Sequence, residues 1–374
     1  MNEKEIAEIR RRYRSDRSNI SRISGCYVNS QKEIISEFEQ SLGMMSEDDA
    51  DVLLGLLKKA FSGHIGTNLL EIDFSTEQVN NGEEYALLSK LRKSEIKDTD
   101  ARAEFYSKII ENLEIEGSYL ILLAHDACDI FETNAEGEKD YESTSVYSYV
   151  ICAICPVKEG KPTISYYFPE KCFRTLCSDT VLSKPELAFV FPVLEDSQTN
   201  IYKTLYYTKN LEDNHPELID ALFANEAPMP AKEQKETFSD LLEKTVAEEC
   251  SVRLVSSIHA QINAAIEENK AEGDDVLPYI NKSDACEMLR YGGVSEEKIE
   301  AFEKGFDDSF GENAEIPPKN ISSTKQLRVE TPEVSVKVNA GCSELVETRV
   351  IDGVKYILIR ADNEVTVNGV RVNI

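Results

Sequence analysis

Three groups of residues have the types and spacings from which chemistry could be built. His125 and Asp126, with Asp129 three positions on, lie where an apolar run ends. A histidine beside a carboxylate can act as an acid–base pair. Neighbours in a strand point to opposite faces, however, so His125 and Asp126 need not meet. No GxSxG elbow, HExxH or phosphate-binding loop accompanies them. The reading we favour is a structural or surface histidine; the alternative is a hydrolase-like enzyme with its site near these three residues.

The second group is Cys152 and Cys155, the chain's CxxC, followed by Cys172 and Cys177. Zinc requires four converging ligands, usually from two tight knuckles. Cys152 and Cys155 sit in a segment that reads as a strand, where positions three apart diverge. A redox pair would open a helix, and none is evident there. Buried, reduced thiols are therefore expected. The third group is basic: Arg10, Arg11, Arg12 and Arg14, then Arg17 and Arg22. It could meet phosphate or an acidic partner, but the chain's own carboxylates are the nearer supply.

Other patterns weaken on inspection. The loop from Glu132 to Ser143 has calcium-loop alternation with Gly137 sixth, but Ser143 stands where a bidentate Glu is needed. His259 lies on a helical apolar stripe and reads as a satisfied core histidine. Ser322 to Lys325 spells SxxK without its companion motifs. Tyr166, Tyr167, Tyr202, Tyr206 and Tyr207 could stack bases, yet no basic strand interleaves with them, which favours sheet packing.

Composition bounds the partners. The chain has 374 residues and a net charge of -28, so a broad nucleic-acid or anionic-membrane footprint is excluded; nucleic acid is disfavoured, and the exclusion does not extend to a local basic patch. No apolar run suits a membrane span, and the charged N-terminus lacks a secretory h-region. Nine cysteines, an odd number, do not suggest a disulfide scaffold. A cytoplasmic protein without a cofactor is the expectation.

The elements that position these groups are organised around two apolar strands, 118–125 and 146–155, which alternate poorly and so should be buried on both faces. Before them come a hairpin about Asn29 to Gln31 and a helix from Ser46 with Val52, Leu53, Leu56, Leu57, Ala60 and Phe61 inward. A strand at Leu69 to Phe74 and helices after Ser75 and Asp98 follow. A polar loop, Glu132 to Ser145, is expected between the central strands. Further strands are expected at Thr163 to Phe168, Leu187 to Leu194 and Asn200 to Tyr207, with Pro192 marking an edge or bulge. The chain divides into an α/β domain, 1–226, long amphipathic helices, 231–272, and a third unit, 276–374, in which Ser283 and Ser295 cap helices. That unit ends in a β-meander turned at Asp352-Gly353 and Asn368-Gly369. The fold class is α+β with a mixed or antiparallel sheet.

Several of these stretches resemble a known family: GCYVN from Gly25, KEIISEFEQSLG from Lys32, FSTEQV from Phe74, YLILLAHDA from Tyr119, ICPV from Ile154, TNIYKTLYYTKN from Thr199, PMPAKEQKETF from Pro228 and ETRVIDGVKYILIRAD from Glu347. Together they are similar to a bacterial domain-of-unknown-function family, number 4317, found mainly in anaerobic Gram-positive bacteria. The resemblance spans essentially the whole chain. It implies a cytoplasmic bacterial protein and supplies no activity, cofactor or catalytic residue. A fainter likeness of layout, in Val52 to Val157, Phe302 to Pro317 and Leu327 to Val372, is to the nucleoid-associated protein family of Gram-negative bacteria. The expectation from all of this is a non-enzymatic macromolecular interaction protein with a protein partner, in its most concrete form one associated with chromosome machinery. The long helices and the terminal strands are the candidate docking faces.

Overall fold

In the computed structural model the described residues are all but 134–138, 161–162, 177–179, 273–278, 323–325, 340–341, 343–344, 362–363, 368 and 373–374. They form two units, Met1–Pro230 and Ala231–Ile374. The first opens with α1 (Glu3–Arg10), started by a reciprocal capping box between Asn2 and Glu5. A hairpin of β1 (Arg22–Val28) and β2 (Ile34–Ser41) follows. Next come α2 (Glu47–Leu57), β3 (Leu69–Asp73), α3 (Thr76–Asn81), α4 (Glu83–Lys93) and α5 (Thr99–Asn112). Ser46, Ser75 and Asp98 cap α2, α3 and α5 with their side chains, as their types dictate. The long pair β4 (Ser118–Thr133) and β5 (Lys139–Glu159) leads to a separate hairpin, β6 (Thr163–Tyr167) with β7 (Cys172–Leu176). The unit ends with β8 (Thr180–Leu182), β9 (Leu187–Phe191), β10 (Val193–Glu195), β11 (Gln198–Asn200), β12 (Lys203–Thr208) and α6 (Pro216–Phe223).

The main sheet runs β2-β1-β4-β5-β9-β12-β3, antiparallel at every step, with β8 added on β5. Helices cover both of its faces. On one, Ile121, Leu123, Val150, Cys152 and Phe189 share a core with Leu88 of α4, Phe105 and Ile109 of α5, and Ile219 and Phe223 of α6. On the other, Leu120, Leu122, Ile151, Cys155 and Val190 share a core with Ile6 and Ile9 of α1 and Leu54 and Leu57 of α2. The central strands thus read as continuous apolar runs because neither face meets water. Each fully buried Leu, Ile or Phe contributes about 1.5–3 kcal/mol.

Four local expectations change. Most of the expected polar loop from Glu132 to Ser145 is strand, since ladder pairing needs backbone groups and not apolar side chains. In α2 the fully buried stripe is Ala50, Leu54 and Leu57, continued by Ala60 and Phe61, with Leu53 and Leu56 half-buried against the same core, while Val52 points to solvent, about two hundred degrees round from Leu54. Pro192 does not mark an edge: β9 lies between β5 and β12, and the Phe191-Pro192 bond, which is cis, follows its last residue. Lacking an N–H, Pro192 ends that ladder, and the chain continues as β10, paired with β11. Among the described residues β6 pairs only with β7 and stands off the main sheet.

The second unit contains α7 (Ala231–Val246), α8 (Val252–Glu272), α9 (Lys282–Tyr291), α10 (Glu296–Phe310) and α11 (Pro318–Ile321). α7 and α8 are separate helices, broken between Val246 and Val252. Phe238, Leu241, Ile258, Ile262, Leu289, Phe302 and Phe306 form one core. A Cβ at Gly305 would fall 2.4 Å from Leu241 Cδ1, so glycine there lets α10 lie close against α7. Asn281, not Ser283, caps α9 through a capping box with Asp284. The apolar stripes of α7 and α8 are therefore largely occupied by α9 and α10, although Val255 stays exposed.

The tail forms three successive antiparallel hairpins: β13 (Gln326–Glu330) with β14 (Ser335–Asn339), β15 (Val346–Ile351) with β16 (Val354–Ile359), and β17 (Val365–Val367) with β18 (Val370–Val372). Asp352 and Gly353 both take positive φ, as the turn chemistry requires. Among the described residues no helix is long and apolar enough to cross a membrane.

Candidate functional site

β4 carries His125 and Asp126 into different layers. Asp126 is 1% exposed, on the α1/α2 side. It pairs in register with Tyr149 of β5, whose hydroxyl donates to Asp126 Oδ2 at 2.8 Å. The Ala127 N–H donates to Asp126 Oδ1 at 2.9 Å. Tyr13, from the segment after α1, lies 3.1 Å from the Tyr149 hydroxyl. Because Tyr149 gives its proton to the carboxylate, Tyr13 is the donor in that contact, and a chain runs Tyr13 to Tyr149 to Asp126. Tyr147 stacks on Tyr149 at 4.6 Å and donates to the Pro192 carbonyl at 2.8 Å.

Burial governs the charge states. It pushes the Asp126 carboxyl above its ordinary value, opposed by the Tyr149 hydrogen bond and the Arg12 charge. It raises the phenols of Tyr13 and Tyr149 well above the usual tyrosine value, and moves the Cys128 thiol up to about 11. Arg12 turns its Nε inward, where it is buried without a hydrogen-bond partner. The cluster ties the segment after α1 to the middle of the sheet and is closed to solvent. Chemically it can hold a proton, but it offers no surface to a substrate.

His125 lies on the opposite side, half-buried. Its Nε2 is 2.9 Å from the Ser148 Oγ. Burial lowers its pKa, which favours the neutral ring. A serine hydrogen-bonded to a histidine is the nucleophile–base half of acyl-transfer chemistry. The cavity beside His125 measures only 40 Å³, room for about one water. The ionic groups around it pair with one another: Arg22 with Glu39 at 2.6 Å, Arg102 with Glu39 at 3.2 Å, and Lys97 with Glu95. Asp129 is exposed and joins neither group.

The remaining sequence candidates scatter. Cys152 faces the α4–α6 core and Cys155 the α1/α2 core; Cys172 lies on β7, and Cys177 is outside the described residues. Among the described residues no three His, Cys, Asp or Glu side chains are grouped to hold a metal ion. Of the basic cluster, Arg10 ends α1, Arg11 follows as its cap, Arg14 pairs with Asp16 at 3.1 Å, and Arg12 turns inward. His259 is buried on α8 and accepts from Asn263 at 3.1 Å. Residues 134–138 of the calcium-like loop and 323–325 of SxxK lie outside the described residues. Tyr206 and Tyr207 pack into opposite cores as expected of sheet tyrosines, but Tyr166, Tyr167 and Tyr202 are exposed.

Sequence reading missed an exposed aromatic face on the β6–β7 hairpin. On β6–β7 the register pairs Tyr166 with Phe173 and Ile164 with Thr175, so Ile164, Tyr166 and Phe173 share a face. Phe168, at the turn, meets the Tyr166 ring edge-on at 5.1 Å, and Phe173 meets it at 5.2 Å. Ile164, Phe168 and Phe173 are 74%, 80% and 72% exposed. On the other face Arg174 lies over the Tyr167 ring at 5.1 Å and pairs with Glu170. The signal was present as period-two alternation at Ile164, Tyr166 and Phe168.

A family model described as Domain of unknown function (DUF4317) matches residues 1–370. No curated protein matches the chain. The family match agrees with the whole-chain resemblance and does not bear on the likeness to nucleoid-associated proteins.

Proposed function

We propose that this chain, which belongs to the DUF4317 family, is a non-enzymatic cytoplasmic protein that binds a protein partner through the apolar face of the β6–β7 hairpin. The observation that carries the reading is the exposed set Ile164, Tyr166, Phe168 and Phe173 on one side of a two-stranded ribbon. Such a ribbon is marginal in water by itself. Four side chains of this size present on the order of 400–500 Å² of surface, the scale at which an exposed patch marks an interaction site. With Glu170 paired to Arg174, the hairpin is nearly neutral in a chain of net charge -28. An apolar partner surface can approach it without the repulsion the rest of the exterior sets up.

Chromosome-associated machinery is the most concrete class of partner. Its support is likeness of layout, and contact would run through a DNA-bound protein, since an acidic chain repels phosphate. The hydrolase-like alternative at His125, Asp126 and Asp129 has less support, because the three side chains diverge and the cavity beside His125 holds about one water.

Pull-down and gel-shift assays at two salt concentrations, with the native chain and a Phe168→Ser/Phe173→Ser variant, test the reading. The native chain should retain DNA-bound protein and the variant should not, while purified DNA stays unshifted. Equal retention by the variant refutes the hairpin as the docking face. No retention by the native chain at low salt removes the chromosomal partner.

A further inference from the structure

The second unit offers a different kind of surface along the outer edge of β15. Among the described residues β15 pairs with β16 alone. Hydrogen bonding alternates along an antiparallel pair, so every second residue of a two-stranded ribbon turns its N–H and C=O outward. The phase is fixed at the open end, where the Arg360 N–H donates to the Leu345 carbonyl at 2.8 Å. The register of Val346 with Ile359 then leaves Val346, Thr348 and Val350 facing outward. The turn at Asp352-Gly353 requires the same phase, because the residues flanking a two-residue turn are a hydrogen-bonded pair.

This edge borders a groove of 480 Å³. Val346, Glu347 and Thr348 form one wall, and α8 forms the other with Val252, Arg253 and Ser256. Three consecutive strand residues line it, which sets the groove along the edge of β15; a face would show every second residue. Ser256 Oγ is buried there without a hydrogen-bond partner. Glu347 is held by Arg349 at 2.9 Å, whereas Arg253 has no ion pair among the described residues. Arg253 is thus the uncompensated charge of this groove, in a chain whose net charge is -28.

We propose that the groove binds an extended peptide segment of a partner protein, added as a third strand on β15, with a carboxylate of that segment set against Arg253. Outward groups at Val346, Thr348 and Val350 match the two-residue repeat of an extended chain, whose backbone would complete their hydrogen bonds. The volume lies within the roughly 300–1,000 Å³ usual for ligand sites. Ser256 supplies a hydroxyl with no internal partner, and the Arg253 guanidinium suits a carboxylate from a side chain or a peptide C-terminus. This surface is separate from the β6–β7 face and stands or falls independently of it.

The test uses the full chain and fluorescein-labelled heptapeptides with Val and Thr at alternate positions. They carry a free C-terminal carboxylate, an internal Asp with an amidated end, or neither. Thr348→Pro removes an N–H that the β15–β16 pairing does not use, so the hairpin should fold, which circular dichroism and hydrogen exchange at Glu347 and Arg349 would check. Fluorescence polarisation should show the carboxylate peptides binding the native chain, with the first two arms telling a terminal from a side-chain carboxylate. Thr348→Pro should weaken them by about tenfold or more, the loss of a backbone hydrogen bond together with proline's bulk. Arg253→Ala should weaken only the peptides that bear a carboxylate. Bound peptide should slow amide exchange at Thr348 and Val350. The Phe168→Ser/Phe173→Ser variant should bind the peptides as the native chain does. The proposal is overturned if no peptide binds, if Thr348→Pro binds equally well, or if the edge is consumed instead by a dimer of the native chain that Thr348→Pro dissolves.

Discussion

Tyr149→Phe is the sharpest probe of the buried cluster. It deletes one hydroxyl that donates to Asp126 at 2.8 Å and accepts from Tyr13 at 3.1 Å. A hydrogen bond to a charged acceptor is worth roughly 1.5–3 kcal/mol, and the stranded Tyr13 hydroxyl adds about 1 kcal/mol. With the carboxyl ionised the cost is therefore about 3 kcal/mol. The pH dependence follows from the carboxyl. Burial raises the Asp126 pKa above 3.8 in the folded state, so the folded chain holds this proton more tightly than the unfolded one. The stability that Asp126 contributes is fully present below about pH 3.8 and is lost as pH rises through its folded value. Removing the hydroxyl takes away an influence that lowers that value, which pushes it higher still and deepens the loss. The variant should cost about 2 kcal/mol where the carboxyl is protonated, a neutral hydrogen bond plus the stranded Tyr13 hydroxyl, and about 3 kcal/mol where it is ionised. Urea unfolding followed by near-ultraviolet circular dichroism reads this directly, because the chain has no tryptophan and its tyrosines dominate the signal. A cost below about 1 kcal/mol at neutral pH, or the same cost at every pH, would refute the reasoning.

Two further outcomes check the sheet. Phe189→Ala should lower stability by about 3–5 kcal/mol, seen as a lower urea midpoint, since the ring is buried edge-on between Phe105 at 5.8 Å and Phe223 at 5.3 Å. Under native conditions at pH 8, a thiol-specific reagent should modify Cys172 well before Cys26, Cys128, Cys152 and Cys155. Burial pushes Cys26 and Cys155 up to about 12 and Cys128 to about 11, and raises Cys152 well above its usual value; early labelling of Cys152 would contradict the sealed sheet.

The α+β class, the caps at Ser46, Ser75 and Asp98, the double burial of the central strands and the Asp352-Gly353 turn were legible in the sequence, because each is set within a few residues. Caps depend on one side chain and the next turn, and burial on both faces shows as unbroken apolar runs. The divergence of Cys152 and Cys155 likewise needs only the period of a strand. What joins Tyr13, Tyr149 and Asp126, or brings Ser148 to His125, is decided by the register of β4 on β5 and by where the segment after α1 crosses the sheet. The same holds for β6, whose residues fit a sheet strand equally well; its exposure follows from its leaving the main sheet to pair, among the described residues, with β7 alone. Local residue preferences act over one or two turns of chain, whereas these contacts join positions 23 and 136 residues apart, and only the packing of the folded core selects them.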